Sequence, residues 1–186
     1  MLDCSNVSIV IVSFRSEEAL SNLLPSIPLE CEIIIVNNDS PLPEKIKEIR
    51  NFSEILNSEN KGFGSACNIG VKAARKDYVF IVNPDTVFEN NTVIKLLELS
   101  EKMPEASAFT PKILNQKKTE SFKRRSILLD KNKWLKTPPS KISEIPVIGG
   151  AAIFIKKEVF IRVGGFDERI FLYHEDDDLS LRLKNE

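Results

Sequence analysis

The sequence predicts an α/β protein with one mostly parallel central sheet flanked by helices. Three observations carry that reading. Val7 to Phe14, Glu32 to Val36 and Tyr78 to Val82 are short, near-continuous apolar runs rich in β-branched residues, the pattern of strands buried on both faces. Helical segments separate them, and such alternation implies right-handed crossovers and a parallel sheet. Each run also ends in polar residues: Ser13-Phe14-Arg15, Asn37 to Ser40, and Asn83 to Thr86. Ligands of such sheets bind at the carboxyl ends of the strands, so these three stretches are expected to line one rim.

Taken in order, Ser16 offers an N-cap after the first strand. Glu17 and Glu18 stand in the favourable first turn of a helix running to about Leu24. The second strand is stopped by Asn37-Asn38-Asp39-Ser40-Pro41, strong turn chemistry. A polar helix is expected near Glu44 to Arg50 and a short strand near Glu54 to Asn57. Gly64 to Arg75 reads as a helix after a glycine-bearing turn. Asn83-Pro84-Asp85 ends the next strand, because proline cannot continue a central ladder. Thr92 to Lys102 is helical and Ala106 to Thr110 returns to the sheet.

From 115 to 145 the pattern breaks. Nine Lys/Arg stand there against three Asp/Glu, with Pro138-Pro139 near the end, as in a long basic loop with at most one short helix. A strand from Val147 to Ile155 carries Gly149-Gly150, a short helix spans Glu158 to Val163, and Gly164-Gly165 makes a turn. Glu175-Asp176-Asp177-Asp178 then opens a final helix.

Composition narrows the function classes. A chain of 186 residues suits one domain, and a formal net charge of -1 lacks the basic excess of a nucleic-acid-binding domain. No apolar run reaches the roughly 20 residues of a membrane span, and the N-terminus has no signal-peptide pattern. Cys4, Cys31 and Cys67 are widely spaced and odd in number, which fits reduced packing residues and a cytoplasmic location.

Four clusters can carry chemistry. Asp85 in Asn83-Pro84-Asp85-Thr86 puts a carboxylate just past a buried strand, placed for a divalent cation shared with phosphates, although the same residues also make a plain turn. The run from Glu175 to Asp178, preceded by His174, concentrates like charge. That is tolerable where the run caps a helix, binds a cation or includes a base. Asp178 can pair with Arg182 at i,i+4. His174 is the only histidine, either structural or a metal or diphosphate contact. Asn60-Lys61-Gly62-Phe63-Gly64 brings backbone close to a phosphate or base, but lacks the full dinucleotide fingerprint. Asp39 can accept from a base N–H or simply hold an Asx turn.

Together the motifs resemble family 2 glycosyltransferases, the inverting group with the GT-A fold, and their rhamnosyltransferase-like members in particular. The motifs are Val12-Ser13-Phe14-Arg15, Val36-Asn37-Asn38-Asp39-Ser40, Glu59-Asn60-Lys61-Gly62-Phe63-Gly64, Asn68-Ile69-Gly70, Asn83-Pro84-Asp85-Thr86, Gly149-Gly150-Ala151, Gly165-Phe166-Asp167-Glu168 and Tyr173 to Leu179, in family order over nearly the whole chain. The resemblance implies a Rossmann-like sheet and a nucleotide diphosphate sugar as donor. Phe14, Arg15 and Asp39 would hold base and ribose, and Lys61 and Gly62 would lie near them and the diphosphate. Asp85 would ligate Mg2+ or Mn2+, with His174 a further candidate ligand. Asn83 stands where the family's metal motif usually has its first Asp, a mark of the rhamnosyltransferase-like subtype. Asp176 would be the general base. Glu175 and Asp178 would support the acceptor pocket and the helix, and Gly149, Gly150, Arg124 and Arg125 would also belong to the acceptor side, for a saccharide or lipid-linked saccharide.

The basic loop has further readings. Lys123-Arg124-Arg125 can meet an acceptor phosphate or an anionic membrane surface at the cytoplasmic face, or be solvated. Trp134 and Leu135 can dip into that interface or anchor the loop. Family members generally continue beyond the acidic motif, so a single catalytic domain truncated at its C-terminus is expected over 1–186. A nucleotidyltransferase would need a glycine-rich N-terminal signature, which Val12 to Ser16 lacks. A non-catalytic nucleotide-sugar-binding module remains the alternative to an enzyme.

Overall fold

A computed structural model describes residues 3–115, 117–122 and 126–185. β1 (Val7–Ser13) pairs in parallel with β2 (Glu32–Asn37), β2 with β3 (Ser53–Leu56), and β1 on its other side with β4 (Tyr78–Val82). β5 (Ala108–Phe109) is the far edge strand, and β6 (Ile113–Leu114) with β7 (Glu120–Ser121) makes a separate ribbon. β8 (Ala152–Lys156) lies antiparallel between β4 and β5, giving the order β3-β2-β1-β4-β8-β5.

The period-2 alternation of side chains explains the two cores. Ile9 and Ile11 of β1 pack on one face with Leu20 and Leu23 of α1 (Glu17–Leu23), Ile46 of α2 (Glu44–Lys47) and Leu97, which belongs to the fourth helix. Val10 and Val12 pack on the other face with Ala66, Cys67 and Val71 of α3 (Phe63–Ala73). That fourth helix is α4 (Thr92–Lys102), while α5 (Lys157–Arg162) and α6 (Glu175–Leu183) join α3 through Phe160 and Leu179. Every residue of β1 is buried, as its apolar run predicts. Cys4, Cys31 and Cys67 are unpaired and buried, and burial, with Glu175 nearby, pushes the Cys67 thiol well up. They are packing residues.

The structure departs from the sequence reading at several points. The strand expected over Val147 to Ile155 begins only at Ala152, because the Ile148 and Gly150 N–H groups are taken by Ser180 Oγ and Asp176 Oδ2 of α6. β8 also reverses direction, because the segment leading into it holds only a one-turn 3-10 helix among its described residues and no crossover helix. An apolar run reads the same in either direction. Ser16 sits at the N-cap of α1, but its hydroxyl lies 2.8 Å from Ser13 Oγ and does not cap the helix.

α3 approaches the sheet closely at Gly70. A Cβ there would fall 2.4 Å from Val10 Cγ1 and 3.1 Å from Val36 Cγ2, both of them core residues. Alanine would gain up to about 1 kcal/mol of helix propensity, but forcing a methyl into a packed core costs about 1–3 kcal/mol. Gly70→Ala is therefore expected to lower the urea unfolding midpoint. A midpoint unchanged or raised would contradict this close packing.

Candidate active site

The carboxyl ends of β1, β2 and β3 are tied together by buried asparagines. Asn38 N–H donates to Ser13 O at 2.8 Å, and Asn57 N–H donates to Asn37 O at 2.9 Å. Asn57 Nδ2 donates to Asn38 Oδ1 (2.7 Å), and Asn38 Nδ2 donates to Gly62 O (3.1 Å). Both amides are buried, so each bond avoids an unsatisfied polar group inside the protein. This chain of amides fixes the turn that carries exposed Lys61. Sequence names Asn38 only within its turn and Asn57 only as a strand end; their polarity at the end of apolar runs is the signal that marks them.

Gly62 has φ +80°, and a Cβ there would lie 2.2 Å from Phe171 O. The same carbonyl accepts the Phe63 N–H at 3.2 Å, satisfying a donor at the start of α3. Only glycine fits. Farther along α3, Asn68 bonds both sides of the Phe166 backbone, donating to its O at 2.9 Å and accepting its N–H at 2.8 Å.

Phe14, Arg15 and Asp39 come together at this rim. Arg15 adopts φ +52°, its guanidinium lies 5.2 Å from the Phe14 ring centroid, and its Nε lies 3.5 Å from Asp39 Oδ1. The Arg15 side chain is 73% exposed, so the ion pair adds little stability and leaves the group accessible. Asn37 shapes the adjoining turn, donating to Ser40 O and accepting the Asp39 N–H.

Asn83 to Thr86 forms a tight turn, with the Thr86 N–H and hydroxyl both donating to Asn83 O. Asp85 stands exposed on it. Asn83 N–H donates to Ala151 O at 3.0 Å, which draws Gly149-Gly150-Ala151 to the same rim. Gly150 N–H donates to Asp176 Oδ2 at 2.8 Å, and Asp177 N–H donates to Asp176 Oδ1 at 2.9 Å. Ser180, one turn on, donates to Asp176 O and accepts the Ile148 N–H. The reversed strand β8 thus connects the Asp85 turn with the acidic start of α6.

The acidic run divides into distinct roles. Its four carboxylates occupy the first turn of α6, where the helix dipole favours them. Glu175 is buried toward α3, near Gly64 and Cys67. Asp177, fully buried, holds exposed His174 through Nδ1–H···Oδ2 at 2.8 Å, and His174 itself takes the left-handed conformation at φ +69°. Asp178 accepts from Arg182 at 2.9 and 2.5 Å, the expected i,i+4 pair, and Arg182 also donates to Val163 O. Arg124 and Arg125, with Lys123, lie outside the described residues. Trp134 anchors its loop: the indole N–H donates to Ser126 O and Leu129 O.

Among the described residues no three His, Cys, Asp or Glu side chains cluster as a metal cage. A single rim carboxylate still fits Mg2+ or Mn2+ chemistry, in which one or two carboxylates share the ion with substrate phosphates and water.

Comparison with known proteins agrees with this architecture. The sequence matches the glycosyl transferase family 2 profile over residues 8–164. It is 25% identical over 202 residues to the low-salt glycan biosynthesis hexosyltransferase Agl10 of Haloferax volcanii, covering 100% of this chain and 63% of that protein. It is 28% identical over 204 residues to the rhamnosyltransferase WbbL of Escherichia coli K12, covering 95% of this chain and 76% of that one. The fold is shared with the mannosyltransferase PcManGT from Pyrobaculum calidifontis, solved in complex with GDP-Man and Mn2+, at a TM-score of 0.68 and 15% identity, over 96% of this chain and 51% of that one. This chain therefore spans under two thirds of the hexosyltransferase and about half of the mannosyltransferase. With the family profile covering most of its length and the GT-A sheet in place, the chain belongs to glycosyl transferase family 2 and is similar to its rhamnosyltransferase members.

Proposed function

We propose that this chain is the donor-binding and catalytic domain of an inverting, metal-dependent glycosyltransferase. It moves a hexosyl or rhamnosyl group from a nucleotide diphosphate sugar to a hydroxyl of a saccharide or lipid-linked saccharide, at the cytoplasmic face of the cell. The observation that carries this reading is the Asn83–Ala151 and Gly150–Asp176 hydrogen-bond chain. It holds a buried helix-start carboxylate on the same rim as the exposed Asp85.

Each residue then has a task. Phe14, Arg15 and Asp39 receive the base and ribose, and Lys61 with the Gly62 backbone lies beside the diphosphate. Asp85, next to Asn83, anchors Mg2+ or Mn2+, and His174 is a further contact for the ion or the diphosphate. When bound, the cation offsets charge that develops on the leaving diphosphate. Asp176 accepts the acceptor hydroxyl proton while that oxygen bonds to the anomeric carbon and the carbon–phosphate-oxygen bond breaks. A single displacement from the opposite face inverts the centre. Both Asp176 oxygens accept a backbone N–H, from Gly150 and from Asp177, which orients the carboxylate at the start of α6. Gly149, Gly150 and Glu175 shape the acceptor side around it, and Arg124 and Arg125 meet an acceptor phosphate.

Two measurements test this reading. A nucleotide diphosphate at about 100 times its Kd stabilises the native state by about 2.7 kcal/mol, a Tm rise of about 5–10 °C for a domain of this size. The rise is expected with Mn2+, much smaller with a chelator, and insensitive to Mn2+ in Asp85→Ala. Equal shifts with and without metal in the wild type would sink the shared-cation model.

Asp176→Asn keeps the shape of the side chain but cannot take the proton. Transfer is expected to fall about 10²-fold or more, with donor binding nearly unchanged. Asp178→Asn should instead lower stability through its Arg182 pair, leaving transfer by the folded protein close to normal. Wild-type turnover in a folded Asp176→Asn variant would place the base elsewhere.

A further inference from the structure

The loop from Ser126 to Lys136 is built around an inward-turned indole. Ser126 is buried; its Oγ accepts the Leu128 N–H at 3.1 Å and its carbonyl accepts the Trp134 indole N–H at 3.0 Å. The indole N–H also lies 3.2 Å from Leu129 O, and a 3-10 turn over Lys131–Lys133 completes the loop. This scaffold leaves two apolar side chains at the tip, Ile127 at 73% and Leu128 at 47% exposure. Lys131, Lys133 and Lys136 follow within the same loop and are all exposed, against a single carboxylate, Asp130.

We propose that this loop is a docking tip for an anionic lipid surface, with Ile127 and Leu128 entering the headgroup boundary and the three lysines resting on acidic headgroups. The chemistry favours lipid over protein. Two aliphatic side chains are too small to form the core of a standard protein interface, which buries about 800 Å² per partner. Lysine is depleted in such cores, whereas at a bilayer its stem lies along the apolar boundary and its ammonium stays among the phosphates. Near an anionic leaflet each lysine contributes about a fivefold gain in affinity, and exposed apolar residues add to it. The proposal is independent of the donor-site assignment, and its test uses no turnover.

The full chain is mixed with phosphatidylcholine vesicles, with or without phosphatidylglycerol, and bound protein is read by co-sedimentation and by Trp134 emission. Trp134 is the only tryptophan of the chain, and its indole forms the base of the tip, so it reports this loop alone. Binding is expected only with phosphatidylglycerol, weakening with added salt. Lys131→Ser, Lys133→Ser and Lys136→Ser combined should lower the affinity by about 10²-fold. Ile127→Ser with Leu128→Ser should abolish the Trp134 emission change at unaltered charge, in protein whose circular dichroism matches the wild type. Equal binding to phosphatidylcholine alone, binding that survives either variant, or no binding overturns the proposal. So does a concentration-dependent dimer in the absence of vesicles that the Ile127 and Leu128 substitutions dissolve, since the tip would then face a second copy.

Discussion

Burial of β1 on both faces governs the rest of the molecule. A central strand with helices above and below cannot place a hydrated functional group along its length. Ser8 illustrates the rule, since its buried hydroxyl is satisfied by the Glu32 carboxylate of the neighbouring strand. Polar chemistry is therefore displaced to the strand ends, where the chain leaves the sheet. Parallel pairing of β1 with β2 and β4 then brings three such exits to one edge. The edge is rigid for the same reason, because the backbone groups that leave the ladder are bonded by Asn37, Asn38 and Asn57.

The antiparallel β8 brings the second half of the rim into place. A parallel strand in that place would bring its own carboxyl end to the rim. Reversal brings its amino end there instead, with the small residues Gly149, Gly150 and Ala151 beside the Asn83 turn. Small residues with free N–H groups can approach a carboxylate closely, and Gly150 does so with Asp176. The N-terminal dipole of α6 makes four adjacent acids tolerable. Separate partners for Asp176, Asp177 and Asp178 then give each a different orientation.

Much of this was legible in the sequence. The strands at Val7, Glu32 and Tyr78 announce themselves through β-branched apolar runs, and the Asp178–Arg182 pair follows from helical spacing alone. The meeting of Phe14, Arg15 and Asp39 follows from parallel strands ending in register. The direction of β8 was not legible, because its apolar pattern carries no polarity and no crossover signal precedes it. Nor were the amide cross-links. Asn68 reaches Phe166 across 98 positions of sequence, and no local rule pairs them. The tertiary partners of the acidic run were not legible either: Glu175 packs toward Gly64 while Asp176 accepts the Gly150 N–H, and neither contact follows from local spacing.

The contact between Gly62 and Phe171 has a mechanical consequence. The turn at 60–63 and the chain just before α6 are far apart in sequence, yet one hydrogen bond and a glycine-sized gap lock them together. The turn cannot move outward without breaking the Phe63–Phe171 bond or carrying Phe171 along. Because Tyr173 and His174, both left-handed, link Phe171 to the helix start, such a displacement loads directly onto the backbone that presents Asp176. The turn that carries Lys61 and the backbone that opens α6 are thereby held in one geometry.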